Sequence, residues 1–249
     1  MNQGVQRRNA VRIQHVSVTY YEHIALRDVS LEFLQGDFVG IIGPNGAGKT
    51  TLLTVINGLG KIRAGSVEIL GGKATSRNLK RLRRSIGYVP QHINIDPRSP
   101  INCFEAVMIG RIGKIGLFHR PDNKDFEIAE QMMELTRIGH LRNRPVGQIS
   151  GGESQKVNLA RALTQEPEIL LLDEPFANLD PQAVRELSRL VLEAYERFKL
   201  TIVMVTHQLE HLPEICNRVV MMKDTRIVFN GARNEALTPQ RIKRLFDNV

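Results

Sequence analysis

The chain has 249 residues, 42% of them hydrophobic, with two cysteines and a formal charge of +8. A chain of that length buries roughly three quarters of its unfolded surface, so an α/β domain of this size needs no covalent staple. Cys103 and Cys216 lack CxxC-like spacing, which argues against a disulfide framework or a zinc site, and no apolar run approaches the ~20 residues of a membrane span.

Along the chain, residues 1–9 are expected to be flexible, with no apolar signal core behind them, and one domain to run from 10 to 249. From 11 to 34 apolar and polar residues alternate, as in Val16, Val18 and Tyr20 and then Val29, Leu31 and Phe33, the pattern of half-buried antiparallel strands. Phe38-Val39-Gly40-Ile41-Ile42 reads as a buried strand. It runs into Gly43-Pro44-Asn45-Gly46-Ala47-Gly48-Lys49-Thr50, and Thr51-Leu52-Leu53-Thr54-Val55-Ile56 then opens a helix ending near Gly58. Ser66-Val67-Glu68-Ile69-Leu70 is a short strand between glycines. The densest basic run, residues 73–84, holds Arg77, Lys80, Arg81, Arg83 and Arg84, while Leu79, Leu82 and Ile86 recur at helical spacing. One solvated helix face over a packed stripe accounts for it, with lipid headgroups as the second reading; the charge alone does not choose. A helical insertion is expected at about 92–160, carrying Phe104-Glu105-Ala106-Val107-Met108-Ile109, then 126–135 and 157–163. Parallel-type apolar runs follow at Ile169-Leu170-Leu171-Leu172 and Thr201-Ile202-Val203-Met204-Val205, and an edge hairpin spans 219–222 and 226–229. The chain shows no internal repeat, low-complexity segment or sustained heptad.

Three segments carry chemistry. Gly43 to Thr50 fits G-x-x-x-x-G-K-[ST] in the strand, loop, helix setting that gives this pattern meaning, so backbone N–H groups and a helix N-terminus hold phosphate oxygens. Gly43, Pro44, Asn45, Gly46, Ala47 and Gly48 form the cradle, Lys49 reaches the terminal phosphates, and Thr50, with Thr51 beside it, faces Mg2+. The plainer alternative is an ordinary Gly-rich turn. Asp173 and Glu174 follow a buried strand at its carboxyl end, where open α/β sheets bind ligands. Asp173 is expected to hold Mg2+ and Glu174 to act as general base on the attacking water. Ser150-Gly151-Gly152 precedes a helix and offers a second anion-binding N-terminus; alone it is weak, since Ser caps many helices.

A phosphate loop, a helical insertion ending in Ser-Gly-Gly, a strand ending Asp-Glu-Pro and a later strand ending in His resemble the ATP-binding cassette family over nearly the whole chain. The resemblance implies a P-loop NTPase fold with a parallel core sheet, an antiparallel β subdomain and an inserted α-helical subdomain. It also implies an ATPase using ATP and Mg2+. Tyr20 matches the aromatic that stacks on adenine, although Tyr21 leaves the register open. Gln91 matches a glutamine that ligates Mg2+, Asp180 a residue at the dimer seam, and His207 the histidine on the γ-phosphate. Ser150, Gly151 and Gly152 match the signature that closes on the opposing subunit's nucleotide. Three places depart from the pattern, the first being Ile149 where the signature has Leu. Glu153 stands where the family has Gln and is expected to weaken closure by adding charge near a polyphosphate. Asp224-Thr225-Arg226 lacks the usual turn glycine.

A lone cassette without a long coiled coil resembles the separate ATPase subunit of a bacterial-type importer. Val89-Pro90-Gln91-His92, Ser99-Pro100-Ile101, Ala106-Val107-Met108-Ile109-Gly110-Arg111 and Arg120-Pro121 narrow it towards zinc and manganese importers, with iron-chelate uptake next. Partners implied are integral membrane permease subunits, a second ATP-binding subunit as a homodimer, and an extracytoplasmic substrate-binding protein. The implied location is the cytoplasmic face of the cell membrane. Two rival classes stand beside this reading, a soluble nucleic-acid-linked ATPase and a catalytically idle binding or regulatory subunit whose composite site Glu153 disables; no specific nucleic acid is expected.

Overall fold

The computed structural model describes residues 7–21, 23–91, 96, 98–116 and 118–247. His92 and residues 1–6, invoked above, lie outside the described residues. The chain divides into two compact units, Met1–Arg83 with Leu200–Val249, and Arg84–Lys199.

The first unit opens with strands β1 (Asn9–Tyr20) and β2 (His23–Leu34). They pair antiparallel, Val16 opposite Val29 and Val18 opposite Leu26, so the alternating apolar set falls on one buried face. Arg7, just ahead of β1, reaches Asp37 at 3.4 Å. Strand β3 (Phe38–Ile42) is buried on both faces, which is why its sequence does not alternate. Helix α1 (Lys49–Ile56), β4 (Ala64–Ile69), the short β5 (Gly72–Lys73) and helix α2 (Leu79–Leu82) follow. The antiparallel sheet has the order β2-β1-β4-β5.

The second unit contains β6 (Ile86–Val89), α3 (Cys103–Met108), α4 (Ile112–Ile115) and α5 (Asn123–Leu135). After these come α6 (Gly151–Thr164), β7 (Ile169–Asp173) and α7 (Pro181–Phe198). Strands β6 and β7 are parallel, with Val89 opposite Leu172. The chain returns to the first unit through β8 (Thr201–Val205), β9 (Arg218–Lys223), β10 (Arg226–Ala232), α8 (Arg233–Ala236) and α9 (Pro239–Phe246). There β9 and β8 flank β3, both parallel to it, and β10 lies antiparallel on β9.

Two expectations are corrected. Ile86 is not on the helix with Leu79 and Leu82: α2 stops after one turn and Ile86 opens β6, because pairing to Ile169 in β7 outweighs an accidental helical spacing. Nor is Arg83 part of a solvated basic face. Its guanidinium turns inward to the carbonyls of Asn57 at 3.2 Å and Gly58 at 2.5 Å, capping the C-terminal end of α1 with a cation, where the helix dipole favours one.

The missing turn glycine has a local answer. Lys223 pairs with Arg226 across a two-residue loop, and Asp224 and Thr225 both adopt left-handed backbone at φ 48° and 63°. This is the two-residue hairpin geometry that normally selects Asn-Gly. The Arg27 amide donates to the Thr225 carbonyl at 2.9 Å and helps to hold the strained turn.

Candidate nucleotide site

In the first unit, β3 delivers the phosphate loop to the N-terminus of α1. Gly43, Gly46 and Gly48 have φ of 156°, 79° and 95°, and side chains at two of them would also collide. A Cβ on Gly43 would strike the Met222 carbonyl, and one on Gly48 would come within 2.5 Å of the Ala25 carbonyl. These two glycines are therefore fixed by close approach as well as by dihedral angle. Lys49 is only 6% exposed, and its ammonium donates to the Gly43 carbonyl at 2.9 Å and the Pro44 carbonyl at 3.0 Å. It is thus curled over the loop, where phosphate oxygens are expected. Thr50 and Thr51 occupy the first turn of α1.

Two more expected residues converge on this loop. Because Ala25 of β2 lies against Gly48, the β1–β2 hairpin runs beside the loop, and Tyr20 ends β1 opposite His23. Tyr20 is 45% exposed, whereas Tyr21 is fully exposed at the apex with φ 52°. His207 follows β8, whose Val205 pairs with Ile41 of β3, and the Thr206 amide donates to the Ile41 carbonyl at 3.1 Å. His207 therefore leaves the sheet at the same strand ends that launch the phosphate loop.

The second unit carries the rest. Asp173 ends β7, and Gln91 lies two residues beyond the parallel β6. The Tyr88 hydroxyl donates to Asp173 Oδ2 at 3.2 Å. Burial, the Asp173 charge and that hydrogen bond all raise the phenol's pKa well above its ordinary 10, so Tyr88 remains a donor. Glu174 is buried with φ 48°, a left-handed conformation that costs a non-glycine residue roughly 1–2 kcal/mol. Such strain is concentrated at functional turns.

Ser150 is the N-cap of α6 and forms a reciprocal capping box with Glu153. Its amide and hydroxyl both donate to Glu153 Oε2 at 2.8 Å, and its hydroxyl oxygen accepts from the Glu153 amide at 3.3 Å. These bonds hold the Glu153 carboxyl below its ordinary value, backbone donation by Ser150 contributing most. Gly152 lies where a Cβ would meet Ala183 of α7 at 3.0 Å. Asp180 caps α7 through the amides of Gln182 and Ala183, both at 2.9 Å. Together Ser150, Gly151, Gly152 and Asp180 line a polar hollow of about 400 Å³.

Sequence reasoning missed Tyr88 and Gln155. Gln155 Nε2 donates to the Gln91 carbonyl at 2.9 Å, joining α6 to the segment after β6. Its signal was present: Gln155 is a polar residue on the helix face that Leu159 and Leu163 bury. A separate apolar groove of about 420 Å³ is walled by Phe104, Met108, Ile109, Ile112, Ile115 and Phe126. Among the described residues no helix is long and apolar enough to cross a membrane.

A family model described as ABC transporter matches residues 26–177. The manganese transport system ATP-binding protein MntB of Bacillus subtilis (strain 168) is 36% identical over 224 residues, covering 90% of this chain and 87% of that protein. The zinc transport system ATP-binding protein TroB of Treponema pallidum (strain Nichols) is 32% identical over 237 residues, covering 95% and 86%. Among solved structures, a dimeric ATP-binding cassette in a post-hydrolysis state with ADP and Pi superposes with a TM-score of 0.78 at 30% identity, over 89% of this chain and 98% of that one.

Proposed function

Because the chain belongs to the ABC transporter family of ATPases, we propose that it is the ATP-hydrolysing subunit of a membrane importer for a divalent metal, manganese or zinc. The observation that carries the reading is the near full-length similarity to manganese and zinc transport subunits, on a chain whose phosphate loop has the required glycine geometry. Iron-chelate uptake is the next reading for the cargo.

In this reading the loop amides from Gly43 to Gly48 and the N-terminus of α1 cradle the phosphates, Lys49 neutralises their outer charge, and Tyr20 stacks on the base. Thr50, Gln91 and Asp173 offer hydroxyl, amide and carboxylate oxygens, a hard donor set that suits Mg2+. When bound, that ion would neutralise charge on the phosphoryl oxygens. Tyr88 holds Asp173 in place, Glu174 takes the proton of the attacking water, and His207 orients the γ-phosphate. A second copy, closing head to tail, presents Ser150-Gly151-Gly152, with Asp180 at the seam. In the same reading the apolar groove receives a membrane permease subunit, the chain works at the cytoplasmic face of the membrane, and a substrate-binding protein completes the importer.

The test is paired. Glu174→Gln should trap an ATP-bound dimer and abolish turnover while ATP still binds. Deleting the chain should reduce manganese or zinc accumulation in cells, with wild type but not Glu174→Gln restoring it. Normal turnover by Glu174→Gln refutes the base assignment, and unchanged accumulation of both metals refutes the cargo.

A further inference from the structure

The second unit buries a charge that the nucleotide chemistry does not use. Arg111 is only 6% exposed, in a 3-10 turn spanning Ile109–Arg111 between α3 and α4. Its guanidinium forks three ways. Nε donates to Asp125 Oδ1 at 2.9 Å; Nη1 donates to the Thr164 carbonyl at 3.0 Å and to Glu166 Oε2 at 2.7 Å. Asp125 is fixed in turn by a capping box with Asp122 at the start of α5. Thr164 is the last residue of α6, and Glu166 lies just beyond it. The preceding residue tightens the joint: a Cβ on Gly110 would collide with the Arg161 carbonyl, so here the turn lies directly on the last turns of α6.

The same four residues face two ways. Ile109 and Ile112, 46% and 48% exposed, line the apolar groove, while Gly110 and Arg111 grip α6. Helix α6 has 14 residues, so it is a rod about 20 Å long. Its far end is the Ser150-Gly151-Gly152 signature. A planar guanidinium bound on two sides fixes direction as well as distance, which a point charge such as lysine cannot do.

We propose that Arg111 is the positioning residue through which a membrane subunit seated in the groove sets the signature end of α6. The inference rests on the docking assigned to the groove above. Displacement of the Ile109–Ile112 turn moves the C-terminal end of α6 because Arg111 and Gly110 leave no slack between them. The rigid helix then carries that displacement to Ser150.

The test uses the cassette purified alone and as the assembled complex with its permease subunits in proteoliposomes, as wild type, Arg111→Lys and Glu166→Gln. Glu166 has a 51% exposed side chain, so its neutralisation removes one arm of the fork with little effect on folding. Three quantities are read: co-purification with the permease, ATP turnover of the isolated cassette, and the stimulation of turnover in the complex. Both variants are expected to co-purify and to keep isolated turnover within about twofold. Stimulation should fall at least tenfold in Arg111→Lys and about threefold in Glu166→Gln. Stimulation within twofold of wild type in both variants overturns the proposal. Should Arg111→Lys fail to fold, Glu166→Gln decides by the same criterion. A wild-type cassette that neither co-purifies nor is stimulated refutes the docking reading and this proposal with it, an outcome distinct from a failure confined to the variants.

Discussion

Replacing Glu153 by glutamine separates the two effects of that carboxylate, one on the fold and one on closure. In the capping box Glu153 Oε2 accepts from both the amide and the hydroxyl of Ser150 at 2.8 Å. Glutamine keeps an acceptor oxygen, so the geometry survives, but the bonds lose their charge assistance and the helix loses a first-turn anion worth about 0.3–1 kcal/mol. The site is solvent-accessible, which points to a total loss of about 1 kcal/mol, or a fall in Tm of roughly 2–4 °C for a chain of this size. The effect on closure has the opposite sign. One unit charge about one Debye length, ~8 Å, from a phosphate oxygen is worth roughly 0.5–2 kcal/mol at an effective dielectric of 80 to 20, and a head-to-tail dimer has two such sites, so its removal should tighten ATP-driven dimerisation by about 5- to 1000-fold. The assay is sedimentation with ATP in a Glu174→Gln background, with and without Glu153→Gln, alongside thermal melts. The stability difference also has a pH signature. A carboxyl lowered in the fold stabilises above its ordinary 4.5, and that contribution is lost as pH falls through the lowered folded value; the two melts should converge there. If Glu153→Gln melts no lower than wild type and dimerises no more tightly, the account of Glu153 is wrong.

Thr225→Gly should relieve a β-branched residue at φ 63°, worth about 1–2 kcal/mol before roughly 0.4–1 kcal/mol is returned through the freer unfolded chain. Calorimetry should show a Tm higher by a few degrees, and an unchanged or lower value contradicts the strained-turn assignment. Tyr88→Phe removes a donor from the buried Asp173 carboxylate and should cost about 1–3 kcal/mol while raising the Mg2+ concentration needed for half-maximal turnover. In wild type, one of the four tyrosines should ionise only above the ordinary range in an ultraviolet pH titration. The raised phenol pKa gives a stabilisation that is full below pH 10 and is lost as pH rises from there towards the folded value. If Tyr88→Phe keeps that late-titrating phenol, Tyr88 is not the residue concerned.

Much of the candidate site's local geometry was legible in the sequence because it depends on near neighbours. A glycine loop between a strand and a helix, or an Asp-Glu pair after an apolar run, obtains its geometry from residues a few positions apart, and the structure places Gly43, Lys49, Asp173 and Ser150 at the element ends that the sequence indicated. The register of Tyr20 against Tyr21 was not legible, since it is fixed by bulges in the β1–β2 pairing. Nor was the role of Ile86, because a helical spacing and a strand start are indistinguishable until β7 supplies a partner.

The sequence by itself determined where the backbone curls between β3 and α1, since glycine is the residue that readily adopts the dihedral angles found at Gly43, Gly46 and Gly48, and the strand-loop-helix order aims the amide groups. Tertiary structure decided what the long polar side chains do. Arg83 closes the end of α1, Tyr88 reaches Asp173, and Arg111 bridges α5 and α6. Each of those partners lies 14 to 85 residues away in the chain, and a flexible side chain has no preferred target until packing brings one within hydrogen-bond distance.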